Sequence, residues 1–177
     1  MKRSILLAMG ALLLLVGCGP QGNNAPGIPV TPKWKGATYH ISLDTKAVKP
    51  AKSGVALPGI KFDANPDALE TRAILVVRFD SLGNTKQAPT YNKMIMSPTD
   101  ISGAQGSLPA DYVEAASHDL SSFLTAYCVK GKIKLSVAMA RSSLTSHASD
   151  DEVNSKLLSD WLPIDLDFKN PKPGCKG

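Results

Sequence analysis

The residues that could do chemistry are sparse and badly spaced for it. His40, His118 and His147 are the three histidines, and they are far apart in the chain. No His-Glu-x-x-His and no closely paired cysteines occur, so the spacing that lets ligands converge on one metal ion is missing. Serine nucleophiles announce themselves as Gly-x-Ser-x-Gly or Ser-x-x-Lys, and neither pattern is present. Asp150, Asp151 and Glu152 adjoin one another, as carboxylates do at a helix start, where they meet the positive end of the helix dipole. Asp165 and Asp167 alternate with apolar residues, which reads as the wet face of a strand. Asp80, Ser81 and Asn84 lack the later bidentate glutamate of a calcium loop. The Gly103-Ala104-Gln105-Gly106 stretch is not set between a strand and a helix as a phosphate loop requires. We expect no metal, no cofactor and no catalytic residues. Were a site assembled from distant positions, His40, Asp44, His118 and Asp119 are its first candidates.

One residue does have a chemistry written around it. Lys2 and Arg3 make a positive start, Ile5 to Val16 is an apolar run of about 12 residues, and Leu15-Val16-Gly17-Cys18 closes it. That architecture fits a secretory signal and falls well short of the roughly 20 residues a membrane-spanning helix needs. Leu15-Val16-Gly17-Cys18 resembles the lipobox of bacterial lipoproteins. The resemblance implies a diacylglyceryl group on the Cys18 thiol, cleavage before Cys18, and acylation of the new amine. A single acyl chain binds a membrane reversibly, whereas two or three hold firmly. Gly19 follows the cysteine where aspartate would signal inner-membrane retention. The resemblance therefore implies an outer membrane location facing the periplasm.

Lipid on Cys18 leaves Cys128 and Cys175 as an even pair in an oxidising compartment, which favours a disulfide between them. It would close a loop of about 48 residues, worth about 3–4 kcal/mol in loop-closure entropy. It would also pin the tail Asn170-Pro171-Lys172-Pro173-Gly174-Cys175. Taking Lys2 and Arg3 away with the leader leaves 18 basic against 15 acidic residues, a net charge of +3. That balance does not point to nucleic acid.

Residues 18–36 are rich in Gly, Pro and Asn, cannot bury enough apolar surface to order themselves, and read as a tether. The expected organisation is a signal peptide over 1–17, a lipidated tether over 18–36, and one globular domain over 37–177. Within the domain, Tyr39, Ile41 and Leu43 alternate with polar residues as a half-buried strand. A short strand is possible at Val55 to Leu57, inside a loop. The β-branched run Ala73 to Phe79 predicts a central strand. Asp80 to Asn84 predicts a turn into a second strand over Thr85 to Met96, which Pro89 would make an edge or bulged strand and a plausible docking edge. Ser97 to Leu108 reads as a loop. Pro109 to Tyr127 carries apolar residues at three- and four-residue steps and predicts one long amphipathic helix, with Gly131 marking its end. Lys132 to Ala140 alternates as a strand. Ser149 and Glu152 resemble a capping box opening a short helix to about Trp161. Ile164, Leu166 and Phe168 form a last strand.

This order predicts an α+β fold: a mostly antiparallel sheet of about four to five strands, covered on one face, with one long and one short helix packed on it. A hairpin, a helix and a strand in that order also resemble the periplasmic domains of TonB-like envelope proteins. The likeness is nearest at Asp80-Ser81-Leu82-Gly83-Asn84 after Val76-Val77-Arg78-Phe79. The chain departs from that pattern over 97–108 and 141–160. The expected function is a non-enzymatic structural, assembly or binding part of a cell-envelope complex. Its partners would be membrane lipid, through Cys18, and an envelope protein. The alternative is an envelope enzyme or ligand-binding protein acting on cell-wall or lipid material.

Overall fold

The computed structural model describes residues 37–44, 54–65, 69–85 and 89–169. The expected signal and tether, with Cys18, and the tail with Cys175 lie outside the described residues. The described fold is mixed α/β, with two helices and antiparallel sheets of three and five strands.

The smaller sheet joins β1 (Tyr39–Asp44), β2 (Gly59–Ala64) and β6 (Gln105–Ser107) in the order β1-β2-β6. The larger contains β3 (Arg72–Ser81), β4 (Lys93–Ile95), β5 (Thr99–Asp100), β7 (Gly131–Arg141) and β8 (Leu162–Phe168). Its order is β4-β3-β7-β8, with β5 also paired to β3. One expected sheet is thus two. None of β2, β5 and β6 was anticipated, the last two lying in the expected loop over Ser97 to Leu108, and Val55 to Leu57 belongs to no strand. The strand expected over Thr85 to Met96 shrinks to Lys93–Ile95, with Pro89 outside it.

The β3 sequence explains the larger sheet's layering. Ala73, Leu75 and Val77 face a core shared with Tyr39, Ile60 and Phe62 of the smaller sheet. Ile74 and Val76 face a second core with Ala140, Leu144, Ala148 and Val153. A strand buried on both faces reads as a continuous apolar run, and Ala73 to Val77 does. The sheet is therefore covered on both faces along this half, where one covered face was expected. From Arg78 the strand becomes half-buried and then exposed, as the second cover ends.

Helix α1 (Ala110–Ala126) buries Val113, Ala116, Ser117, Leu120 and Leu124. Its end is a Schellman turn: Val129 N–H donates to Leu124 C=O at 2.9 Å and Cys128 N–H to Thr125 C=O at 3.2 Å. Cys128, at φ 52°, holds the left-handed position that usually falls to glycine. Gly131, expected to mark that end, instead begins β7.

Helix α2 (Asp150–Lys156) has the expected cap, with Glu152 N–H donating to Ser149 Oγ at 3.2 Å. The helix stops at Lys156, short of Trp161, because the chain turns back onto β7. Leu158 N–H donates to Met139 C=O at 2.8 Å, and Met139 N–H to Ser159 Oγ at 2.9 Å. The Leu158 carbonyl then accepts the N–H groups of Thr38 and Tyr39 at 2.8 and 2.7 Å. That segment ties the start of β1 to β7, and so one sheet to the other.

Candidate functional site

The catalytic suspects do not converge. His40 and Asp44 lie on β1, whereas His118 and Asp119 are neighbours on the exposed side of α1, at 81% and 63% side-chain exposure. The imidazole Nδ1 of His118 stands 3.6 Å from Asp119 Oδ1, in solvent. His147 is exposed in the turn before α2. Among the described residues, no group of three or more His, Cys, Asp and Glu side chains is placed to hold a metal ion. Within the same residues, no helix is long and apolar enough to cross a membrane.

His40 lines an open groove of about 470 Å³ on the outer face of the smaller sheet. The register sets His40, Asp63 and Gln105 in one cross-strand row and Ser42, Lys61 and Ser107 in the next. Lys61 Nζ lies 3.3 Å from Asp44 Oδ1, and Gln105 Nε2 donates to Asp63 Oδ1 at 3.3 Å. These groups satisfy one another across a shallow wet face, where exposed pairs contribute little. No nucleophile–base contact is formed there.

The outer face of the larger sheet beyond its second core is more distinctive. Register places Lys93, Arg78, Ser136 and Pro163 in one row across four strands. Asp80 occupies a bulge in β3, between Phe79 and Ser81, which turns its carboxylate back toward that row. Arg78 Nε donates to Asp80 Oδ1 at 3.0 Å, and the buried Ser136 hydroxyl donates to Asp80 Oδ2 at 2.5 Å. The Arg78 guanidinium also lies 4.3 Å over the Trp161 ring, a cation–π contact that closes the apolar cover. Lys93 Nζ pairs with Asp150 at the start of α2. Hydrogen bonds from Lys93 and Asn92 hold the Asp150 carboxyl below its ordinary range. The cluster fastens the 141–161 cover to the sheet, and every polar group in it has a partner.

Past that row the face opens. On β7, Lys132 and Lys134 are exposed, opposite Asp167 and Asp165 of β8. The two aspartates take no hydrogen bond and no ion pair among the described residues. Strand β8 ends the sheet, and among the described residues no strand pairs with its outer side. Pro163 lacks an N–H, which an edge strand tolerates on its outward-facing set of residues. Alternation then puts Asp165 and Asp167 in the same set, with their backbone N–H and C=O groups directed outward. On the inner face Ile164 and Phe168 are buried, but Leu162 and Leu166 are only half covered. This seven-residue edge, unpaired among the described residues, with two exposed carboxylates on one face and incompletely covered leucines on the other, is the candidate site.

The sequence had shown Asp165 and Asp167 as a wet strand face. It had not shown the edge, because strand order is set by which strands pair and not by periodicity. No protein-family model, no curated protein and no solved structure matches the chain.

Proposed function

We propose that this chain is a lipid-anchored envelope lipoprotein whose domain works by contact, accepting an extended segment of an envelope protein along β8. In this reading Cys18 carries the lipid, residues 19–36 supply reach, and α1 is the amphipathic cover that stiffens the sheet behind the docking edge. A disulfide between Cys128 and Cys175 anchors the tail that follows β8. The leader and lipobox residues support the anchor. An even pair of cysteines in the oxidising compartment that the leader implies supports the bridge. The observation that carries the docking function is the open edge of β8, because unpaired strand edges accept another strand.

Two measurements in intact cells test it. Lipid labelling and detergent-phase partitioning should follow the wild-type chain and be lost in Cys18→Ser. A photo-crosslinker at position 163, exposed on β8, should capture one defined envelope protein, and the same group at position 42, in the groove of the smaller sheet, should not. Equal capture from both positions, or none from 163, contradicts docking on β8. An unlabelled wild-type chain contradicts the anchor.

A further inference from the structure

We propose that β8 selects a basic partner segment: an extended stretch in which Lys or Arg alternates with aliphatic residues, added as the next strand of the larger sheet. The inference rests on the docking function above and names the chemistry of its partner.

The pattern is already used once within the sheet. Strand β7 sets Lys132 and Lys134 opposite Asp167 and Asp165 on the outer face, and Ile133 and Leu135 opposite Leu166 and Ile164 on the inner face. A strand added to the other side of β8 meets the same two faces of the same residues. Its outer positions lie beside two carboxylates that have no partner among the described residues. Opposite charges across a strand pair are favourable and like charges are not. Its inner positions lie beside Leu162 and Leu166, whose apolar surface is half open. Covering such surface is favourable in proportion to its area.

The same argument disfavours a second copy of this chain. Two β8 strands joined antiparallel bring Asp165 and Asp167 of one copy against those of the other. Pairing then gains backbone hydrogen bonds at the cost of four clustered negative charges.

The alternation is what separates strand addition from loose charge attraction. The full chain should be titrated with three seven-residue probes: one alternating Lys and Ile, one of the same composition with the lysines grouped, and one with Glu in place of Lys. The alternating probe should bind, with β8 resonances shifting, and the other two should bind at least roughly fivefold more weakly. Asp165→Asn with Asp167→Asn should weaken the alternating probe by a similar factor while the fold, read by circular dichroism, is unchanged. Equal binding of the grouped probe overturns the proposal in favour of simple electrostatic adhesion. No binding of the alternating probe overturns it in favour of an edge protected by Pro163 and its charges. If position 163 still captures a protein in cells in that case, the docking edge stands and only its basic specificity falls.

Discussion

The N–H of Leu75 donates to the hydroxyl of Tyr112 at 3.0 Å, joining α1 to the middle of β3. The bond fills a gap in the sheet. Strand β4 pairs with Val76 to Arg78, β5 pairs with Arg72 and Ala73, and between them Met96 N–H reaches only the Leu75 carbonyl. The helix supplies the acceptor that the interrupted edge cannot.

Tyr112→Phe should therefore strand the Leu75 N–H and cost about 1–3 kcal/mol, read by denaturant unfolding. Burial also raises the Tyr112 pKa. A group whose folded pKa is raised supports the fold below its unfolded pKa and ceases to do so as pH rises through the folded value. Alkaline destabilisation should be smaller in the variant than in the wild type. Part of it should remain, because burial also raises the pKa of Tyr39.

Two further helix side chains hold a segment that is no strand. Leu57 N–H donates to Ser117 Oγ at 3.0 Å and Val55 N–H to Ser121 Oγ at 2.9 Å. Gly54, at φ +86°, lets the chain approach so closely that a Cβ there would collide with Ser121. Ser117→Ala leaves a buried donor unpaired and should cost about 1–3 kcal/mol. Ser121→Ala should cost less, since its bond is only partly buried. Equal and negligible losses in thermal unfolding would contradict this clamp.

Acid should weaken the fastening of α2. The Asp150 carboxyl is held below its ordinary range, first by Lys93. A lowered folded pKa gives stability that is present above the unfolded carboxylate pKa and lost as pH falls through the folded value. Asp150→Asn should melt below the wild type at neutral pH, and the difference should shrink as the solution is acidified. A gap that widens in acid would contradict the pairing.

The proposed bridge makes a separate prediction. Unfolded without reductant, the mature protein should show neither Cys128 nor Cys175 to a thiol reagent, and both should label after reduction. Cys175→Ser should lower stability by about 3–4 kcal/mol, the loop-closure value.

What the sequence made legible was local. The central strand at Ala73 to Phe79, the alternation of β7 and β8, and the Ser149 cap each follow from periodicity or capping chemistry within a few residues. What it hid was pairing. Gly59 to Ala64 and Gln105 to Ser107 are short, contain glycine, and are recognisable as strands only through their partners, β1 beside the first and the first beside the second. The turn at Leu157 to Trp161 reads as helix until Met139 claims its backbone. The candidate site belongs to that hidden class: Asp165 and Asp167 are visible as a wet face, but their position on an unpaired edge depends on the order of the whole sheet.

Amide hydrogen exchange across β8 tests the central claim most directly. In the protein alone, the Asp165 and Asp167 amides should exchange quickly and those of Ile164 and Leu166, bonded to β7, slowly. With the alternating Lys–Ile probe bound, the two aspartate amides should become protected while the inner pair is unchanged. Binding that leaves Asp165 and Asp167 exchanging at their free rates would show that no strand is added, and would contradict docking on this edge.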